Sequence, residues 1–308
     1  MKLYAAPLQG YTEAIWRNLH EEMFGGIEEY YTPFIRLEKG QIRNKDIREI
    51  KRENNTISHL IPQVIAQTPE ELDVLLSAIE EYGYTDIDLN LGCPFPPIAQ
   101  KHRGAGLLPF PKEVEKLLSE LNHYSHLRFS LKMRLGMNDA SEWLQLMDSI
   151  NKAPLRHVTL HPRIGKQQYS GEIDKEACHA FVQCCQHPVI YNGDVQSLSD
   201  MERIEKEMPR LSGIMIGRGL LAHPFLSAEY REGRGWTESE AKESIRLFHR
   251  RLYQQMCEWL TGGDAQILSK IKPYWEYLFP EMDKKSKKAI HKASTLDRYL
   301  VAVEEGLR

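Results

Sequence analysis

Cys93 lies in the string Asp88-Leu89-Asn90-Leu91-Gly92-Cys93-Pro94, between a glycine and a proline rather than within an apolar face. A thiol of ordinary pKa, about 8.5, is mostly protonated at neutral pH and can serve as an acid. Other chemically capable groups recur in the same setting, directly after a short apolar run. They are Pro7-Leu8-Gln9, Phe34-Ile35-Arg36, Gln63, Lys132-Met133-Arg134, His161-Pro162-Arg163, Asn192-Gly193-Asp194 and Gly217-Arg218-Gly219. Backbone N–H groups of the last two strings, with Arg218, can hold a dianion. Gly217-Arg218-Gly219-Leu220-Leu221-Ala222 also matches G-x-G-x-x-A, yet it follows the last apolar run instead of opening the first. No acidic residue at a ribose-binding offset ends a following strand, so a phosphate-bearing cofactor fits better than a Rossmann dinucleotide site.

These groups need elements to aim them. Short β-rich runs begin near Leu3, Glu28, His59, Asp86, Phe129, His157, Pro188 and Gly213, with starts about 25 to 43 residues apart, the length of a strand, a helix and two loops. Between them Pro69 opens a helix whose Leu72, Leu75, Leu76 and Ile79 share a face, and Pro111 to Leu121 repeats the pattern with Val114, Leu117, Leu118 and Leu121. Eight β/α units in one chain indicate an α/β TIM (β/α)8 barrel, whose chemistry is carried by the loops after the strands.

The 308 residues suffice for a barrel and a small appendage. With 42% hydrophobic and 27% charged residues, the composition excludes collagen-like, disordered and disulfide-scaffold classes. No apolar run approaches a membrane span, and Met1 to Gln9 turns polar too soon for a signal-peptide core, so a cytoplasmic protein is expected. Five cysteines without C-x-x-C favour reduced thiols. The Cys178 to His187 segment resembles a metal cluster, but Cys178, Phe181, Val182 and Cys185 follow helical spacing and no tetrahedral set emerges, so no metal is expected.

The motifs resemble those of the tRNA-dihydrouridine synthases. The most specific is Asp88 to Pro94 followed by Arg103-Gly104-Ala105-Gly106-Leu107-Leu108, similar to the family's signature around its active cysteine. Ala6-Pro7-Leu8-Gln9-Gly10, Lys132 to Gly136, His161-Pro162-Arg163 with Tyr169-Ser170-Gly171, Val189 to Asp194 and Met215 to Gly219 follow in the family's order. Lys270-Ile271-Lys272-Pro273-Tyr274-Trp275 resembles part of its C-terminal helical domain. The chain departs from the family at Leu8 and Gln9, where Met before Glu or Asp is common, and at Ile164, where threonine is usual.

The resemblance implies FMN, electrons from NADPH or NADH, and reduction of the C5=C6 bond of particular uridines in the tRNA D-loop. It implies Cys93 as the proton donor to C5. Pro7, Leu8, Gln9, Gln63, Lys132, His161, Asn192, Gly193, Asp194, Gly217 and Arg218 are the expected cofactor contacts, and Asn90, Tyr169, Lys270 and Lys272 the expected substrate contacts. Lys132 would stabilise the negative charge of reduced flavin.

Arg231-Glu232-Gly233-Arg234-Gly235 reads as a linker, giving a catalytic barrel over 1–235 and a helical tRNA-binding domain over 241–308. In the latter Ile245, Phe248, Leu252, Met256 and Trp259 form a stripe stopped at Gly262-Gly263, and further helices are expected over Ile267 to Leu278 and Ala289 to Val303. Residues 241–308 carry a net charge of +4 against −7 for the rest, and Lys270, Lys272, Lys284, Lys285, Lys287, Lys288 and Lys292 could meet an RNA backbone. A monomer is expected. Two other readings remain open: a small-molecule flavin reductase of the dihydroorotate or dihydropyrimidine type, and a non-catalytic tRNA-binding protein.

Overall fold

Short apolar runs bounded by turns bury both faces when they pair in parallel and helices cover the outside. In the computed structural model, which describes residues 1–308, eight strands do so: β1 (Lys2–Ala5), β2 (Glu29–Tyr31), β3 (Leu60–Ile61, resumed at Gln63–Val64), β4 (Asp86–Leu91), β5 (Arg128–Gly136), β6 (Leu155–Ile164), β7 (Val189–Tyr191) and β8 (Gly213–Ile216). Neighbours pair in parallel, and β1 returns to β8 with Lys2 opposite Gly213. The seam falls in β3, whose first half pairs with β2 and whose second half pairs with β4. Pro62 between the halves has no N–H to give a ladder, and Ile35, beyond β2, bridges to Val64. The expected TIM barrel is the fold.

The helices form where the sequence places them. Thr68 caps Pro69–Glu80 by accepting from the Glu71 N–H, and Leu72, Leu75, Leu76 and Ile79 are its buried face. Pro111–Glu120 buries Val114, Leu117 and Leu118, and Lys175–Cys184 buries Cys178, Phe181 and Val182. None of the helices is long and apolar enough to cross a membrane.

Register decides which side chains look into the barrel, because successive residues of a strand alternate between its faces. Gln63 lies opposite Asp88, Asp88 opposite Ser130, Asn90 opposite Lys132 and Lys132 opposite Thr159. These polar side chains share the inner face. Leu89, Leu131 and Val158 alternate with them and join the apolar layer under the helices.

The C-terminal segment differs from its expected form in three places. Arg231 and Glu232 finish the helix Leu226–Glu232, Gly233 closes it at φ 67°, and Trp236 stacks on Phe225 with ring centroids 5.0 Å apart. Two residues of the expected linker thus belong to a helix, all five from Arg231 to Gly235 are exposed, and the chain packs again at Trp236. The helix after Gly262 runs only over Gly263–Ile271 and tightens to a 3-10 turn at Lys272–Glu276, where Pro273 cannot donate a helical hydrogen bond. Ala289 to Val303 is two helices, Lys284–Lys292 and Leu296–Gly306, because Thr295 accepts from the Arg298 N–H and starts a new one. The stripe on Glu238–Trp259 is otherwise as read, with Ile245, Phe248, Leu252 and Met256 buried.

One continuous apolar core joins barrel and C-terminal helices. Phe248 meets Phe24, at the end of the first helix (Ala14–Met23), with centroids 5.8 Å apart, and the Tyr274 hydroxyl donates to the Tyr11 carbonyl at 2.5 Å. Phe248→Ala should lower stability by about 3–5 kcal/mol, the usual cost of a buried Phe-to-Ala cavity. Urea unfolding followed by circular dichroism and tryptophan fluorescence should give one shared transition shifted to lower urea. Two separate transitions would show that the segments fold independently.

Candidate active site

The C-terminal ends of the strands surround one cavity of about 740 Å³, within the size range of cofactor sites. Its wall brings together Pro7, Leu8, Gln9, Gln63, Asn90, Cys93, Lys132, His161, Tyr169, Asn192, Gly193, Asp194, Gly217, Arg218 and Lys270. Lys272 stands apart: its ammonium donates to the Ala293 carbonyl at 2.7 Å, within the C-terminal helices.

A buried hydrogen-bond chain positions the cysteine. Asp88, fully buried, accepts from the Ser130 hydroxyl at 2.6 Å and from Gln63 Nε2 at 2.7 Å. Gln63 Oε1 accepts from Asn90 Nδ2 at 2.7 Å, and Asn90 Oδ1 accepts the backbone N–H groups of Gly92 and Cys93 at 3.0 and 2.9 Å. From the other side the Cys93 carbonyl accepts the Ala105 N–H at 3.0 Å. That closure needs Gly104, which has φ 58° and where a Cβ would lie 2.8 Å from the Cys93 carbonyl oxygen. Arg103, next to it, is tied to Glu71 by an ion pair. The Arg103-Gly104-Ala105-Gly106 string thus clasps the cysteine loop. Burial pushes the thiol pKa up, so Cys93 stays protonated at neutral pH.

The wall beside the cysteine loop is cationic. Burial lowers Lys132 to about 8 and Arg134 to about 10. Arg134 donates to the carbonyls of Gly92 and Ile164 at 3.1 and 3.0 Å, bracing the ends of β4 and β6 from β5 between them. Arg163 and Arg218 both clamp Asp194, and Arg218 also lies 4.5 Å over the Tyr169 ring. Asp194 is therefore an anchor for arginines. Arg163 can only donate to His161 Nε2, 3.3 Å away. His161 is accordingly neutral with its proton on Nδ1, in keeping with burial that holds its pKa far below the usual range. Asn192 Nδ2 donates to the Met215 carbonyl at 2.8 Å, leaving its oxygen free. At Gly219 a Cβ would lie 2.1 Å from the Val195 carbonyl oxygen, so only glycine lets the two loops close on each other.

The sequence reading named Arg36 at a strand end but missed the cations that follow it. A hairpin pairing Leu37–Glu38 with Gln41–Ile42, then the helix Asn44–Ile50, follow β2 and bring Arg36, Arg43, Lys45 and Arg48 to the cavity wall. Arg43 is bound bidentately by Asp46 at 2.8 and 2.7 Å, whereas Arg36 comes only within 3.9 Å of Glu38. The cue was the recurrence of basic residues at 43, 45 and 48 in a long β2–β3 connection. From the C-terminal side, Tyr277 and Lys270 reach the wall, the lysine paired with Glu13 at 3.0 Å.

Similarity to known proteins extends over nearly the whole chain. The family profile described as "Dihydrouridine synthase (Dus)" matches residues 4–298. The chain belongs to the dihydrouridine synthase family. The chain is 28% identical over 284 residues to the tRNA-dihydrouridine(16) synthase of Neisseria meningitidis serogroup B, covering 89% of this chain and 84% of that protein. It is 27% identical over 297 residues to the tRNA-dihydrouridine(16) synthase of Shigella flexneri, covering 92% and 90%. Among solved structures, morphinone reductase superposes with a TM-score of 0.54 at 8% identity, over 77% of this chain and 87% of that one. Histamine dehydrogenase from Rhizobium sp. 4-9 gives 0.54 at 12% identity, over 82% and 48%. These two share the barrel fold.

Asp88 is the family-motif residue whose physical state is most open to measurement. Burial raises its pKa from 3.8 to about 6 despite the hydrogen bonds from Ser130 and Gln63. Because the folded value is above the unfolded one, its contribution to stability is greatest below about pH 4 and is lost as pH rises through 6, by about 3 kcal/mol. Asp88→Asn cannot ionise, so its stability relative to wild type should rise by about 2 kcal/mol of that between pH 4 and pH 6.5. Urea unfolding of both proteins across this range checks it; a pH-independent difference would mean that Asp88 ionises normally.

Proposed function

We propose that this protein is an FMN-dependent tRNA-dihydrouridine synthase that reduces the C5=C6 bond of a uridine in the tRNA D-loop, with NADPH or NADH as electron source. The observation that carries this reading is a protonated thiol, Cys93, in one cavity with the cation Lys132 and the glycine-lined loops at Gly193 and Gly217 to Gly219. The donor set suits FMN: one anion-binding corner, amide groups along the inner wall and a half-buried lysine. The relatives' names supply the tRNA and make position 16 the first to test.

Saturating an electron-poor C=C bond requires a hydride on one carbon and a proton on the other. FMN, when bound, supplies the hydride. Lys132 would stabilise the negative charge of the reduced cofactor, at less cost in dehydration because its pKa is already lowered to about 8. Arg218 and the Gly193 and Gly217 loops would hold the phosphate, with Pro7, Leu8 and Gln9 along the same wall. Gln63 and Asn90 each keep one N–H not used in the buried chain, for the polar edges of cofactor and uracil. The free oxygen of Asn192 and the Nδ1 proton of His161 add an acceptor and a donor. Cys93 gives its proton to C5, and Tyr169 borders the uracil. Lys270 and the cations 36, 45 and 48 face the RNA backbone.

The purified protein should be yellow and release FMN, not FAD, on denaturation, and Arg218→Ala should retain less of it. Flavin occupancy unchanged in that variant would overturn the phosphate assignment. Cys93→Ala should still bind FMN and accept electrons from NADPH but reduce tRNA uridine about 10²–10⁴-fold more slowly, the usual cost of losing a general acid. Wild-type turnover by Cys93→Ala would make the cysteine structural. Reduction of free uracil without RNA would favour the small-molecule reading.

The helix Lys284–Lys292 leaves Lys284, Lys285 and Lys288 exposed, Lys287 half-buried, and none of the four in the cavity wall. Neutralising Lys284, Lys285, Lys287 and Lys288 together should weaken tRNA binding and flatten its log–log salt dependence by roughly 0.7–0.9 for every phosphate that no longer meets a lysine. Unaltered affinity and slope would assign the RNA backbone to Lys270 and the cations after β2 instead.

A further inference from the structure

Phe95 is the most exposed large apolar side chain on the protein, 59% accessible, and it lies in the cavity wall two residues from Cys93. It has no aromatic neighbour and joins none of the apolar clusters, whereas Phe34, Ile65 and Ile98 beside it are buried together. Its backbone is nonetheless restrained. Pro94 precedes it and Pro96-Pro97 follow it, which locks φ on both sides and restricts Phe95 itself to extended backbone, observed at φ −59°, ψ 122°. Its carbonyl accepts the N–H groups of Ile98 and Ala99 at 2.8 and 2.9 Å. A water-exposed aromatic ring carried by a restrained backbone on the rim of a cationic cavity has no role in the core.

Its placement follows a need of the reaction. A uracil whose C5=C6 bond is to be reached inside the cavity must leave its stack, and its neighbour in the RNA is then deprived of a stacking partner. Single-stranded RNA is held by stacking such bases on aromatic side chains, at lower entropic cost when the backbone that carries the ring is already restrained. Arg36, Lys45 and Arg48 on the same wall supply the charge to keep the phosphates near. We propose that Phe95 is a stacking platform for a base adjacent to the reduced uridine, and so helps to select the nucleotide that enters the cavity. This rests on the tRNA reading given above.

The experiment is a cycle between protein and RNA. Transcripts of one substrate tRNA carry an abasic residue on the 5′ or the 3′ side of the reduced uridine, and kcat/KM is measured with wild type and with Phe95→Ala, Phe95→Leu and Phe95→Trp. On intact tRNA, Phe95→Ala and Phe95→Leu should lose roughly 5- to 100-fold, the range for one base–aromatic stack. Phe95→Trp should recover most of the loss, and all variants should keep the wild-type unfolding temperature. With wild-type protein, one of the two abasic tRNAs should show the same loss, and Phe95→Ala should then cost nothing more on it. Full activity of Phe95→Ala, full rescue by leucine, or losses that multiply independently on both abasic tRNAs would overturn the stacking role while leaving the tRNA activity intact. Wild-type protein that reduces no uridine in intact tRNA would overturn the underlying reading and this one with it.

Discussion

The carboxyl group of Asp88 is the fixed point of the site. It is sealed from water inside the barrel, and every link from it to Cys93 is a hydrogen bond between groups with no alternative partner: Gln63 must turn its N–H toward Asp88, so its carbonyl faces Asn90, so the Asn90 carbonyl faces the backbone of Gly92 and Cys93. An amide that could flip freely would leave the cysteine loop without a defined position. The chain crosses three adjacent strands, β3, β4 and β5, and transmits their rigidity to the loop. Satisfied polar groups in a low-dielectric interior specify one arrangement because each unpaired alternative is costly.

Around that point the barrel divides its charges. Lys132 and Arg134 are partly and fully buried on the inner wall, which lowers both pKa values, whereas Arg163 and Arg218 spend part of their charge on Asp194. The inner cations can therefore respond to charge that appears on a bound group, and the outer pair holds loop geometry and leaves Arg218 spare donors. The hairpin and helix after β2, with Lys270 from the C-terminal segment, add further cations to the cavity wall.

Much of this was legible before the structure because the barrel's period is written in β/α units and its chemistry in strand ends. The inward placement of Lys132 was undetermined from sequence, since a shift of one residue would have turned it outward; pairing with Asn90 and Thr159 fixes it. Asp88 and Arg134 were visible only as motif members, because their importance lies in burial and in partners remote in sequence. Arg43, Lys45 and Arg48 were passed over because the net charge of the barrel segment is negative, and a regional sum hides cations clustered on one face. The C-terminal boundaries shifted where one side chain or one missing N–H outweighed apolar periodicity, at Thr295 and Pro273. Lys272 lay within a recognised motif yet serves the Ala293 carbonyl, which spacing alone does not disclose.

The return of β1 to β8 has a bearing on how the molecule is made. Lys2 finds its partner at Gly213, and the first helix waits longer still for Phe248 to cover Phe24. Ribosomes deliver about 5–20 residues per second, so the earliest strand is out on the order of ten to forty seconds before its second neighbour exists. During that interval it has β2 on one side and an open edge on the other. Ring closure is thus a late event of biosynthesis, and the nascent half-barrel is the species most in need of chaperone protection.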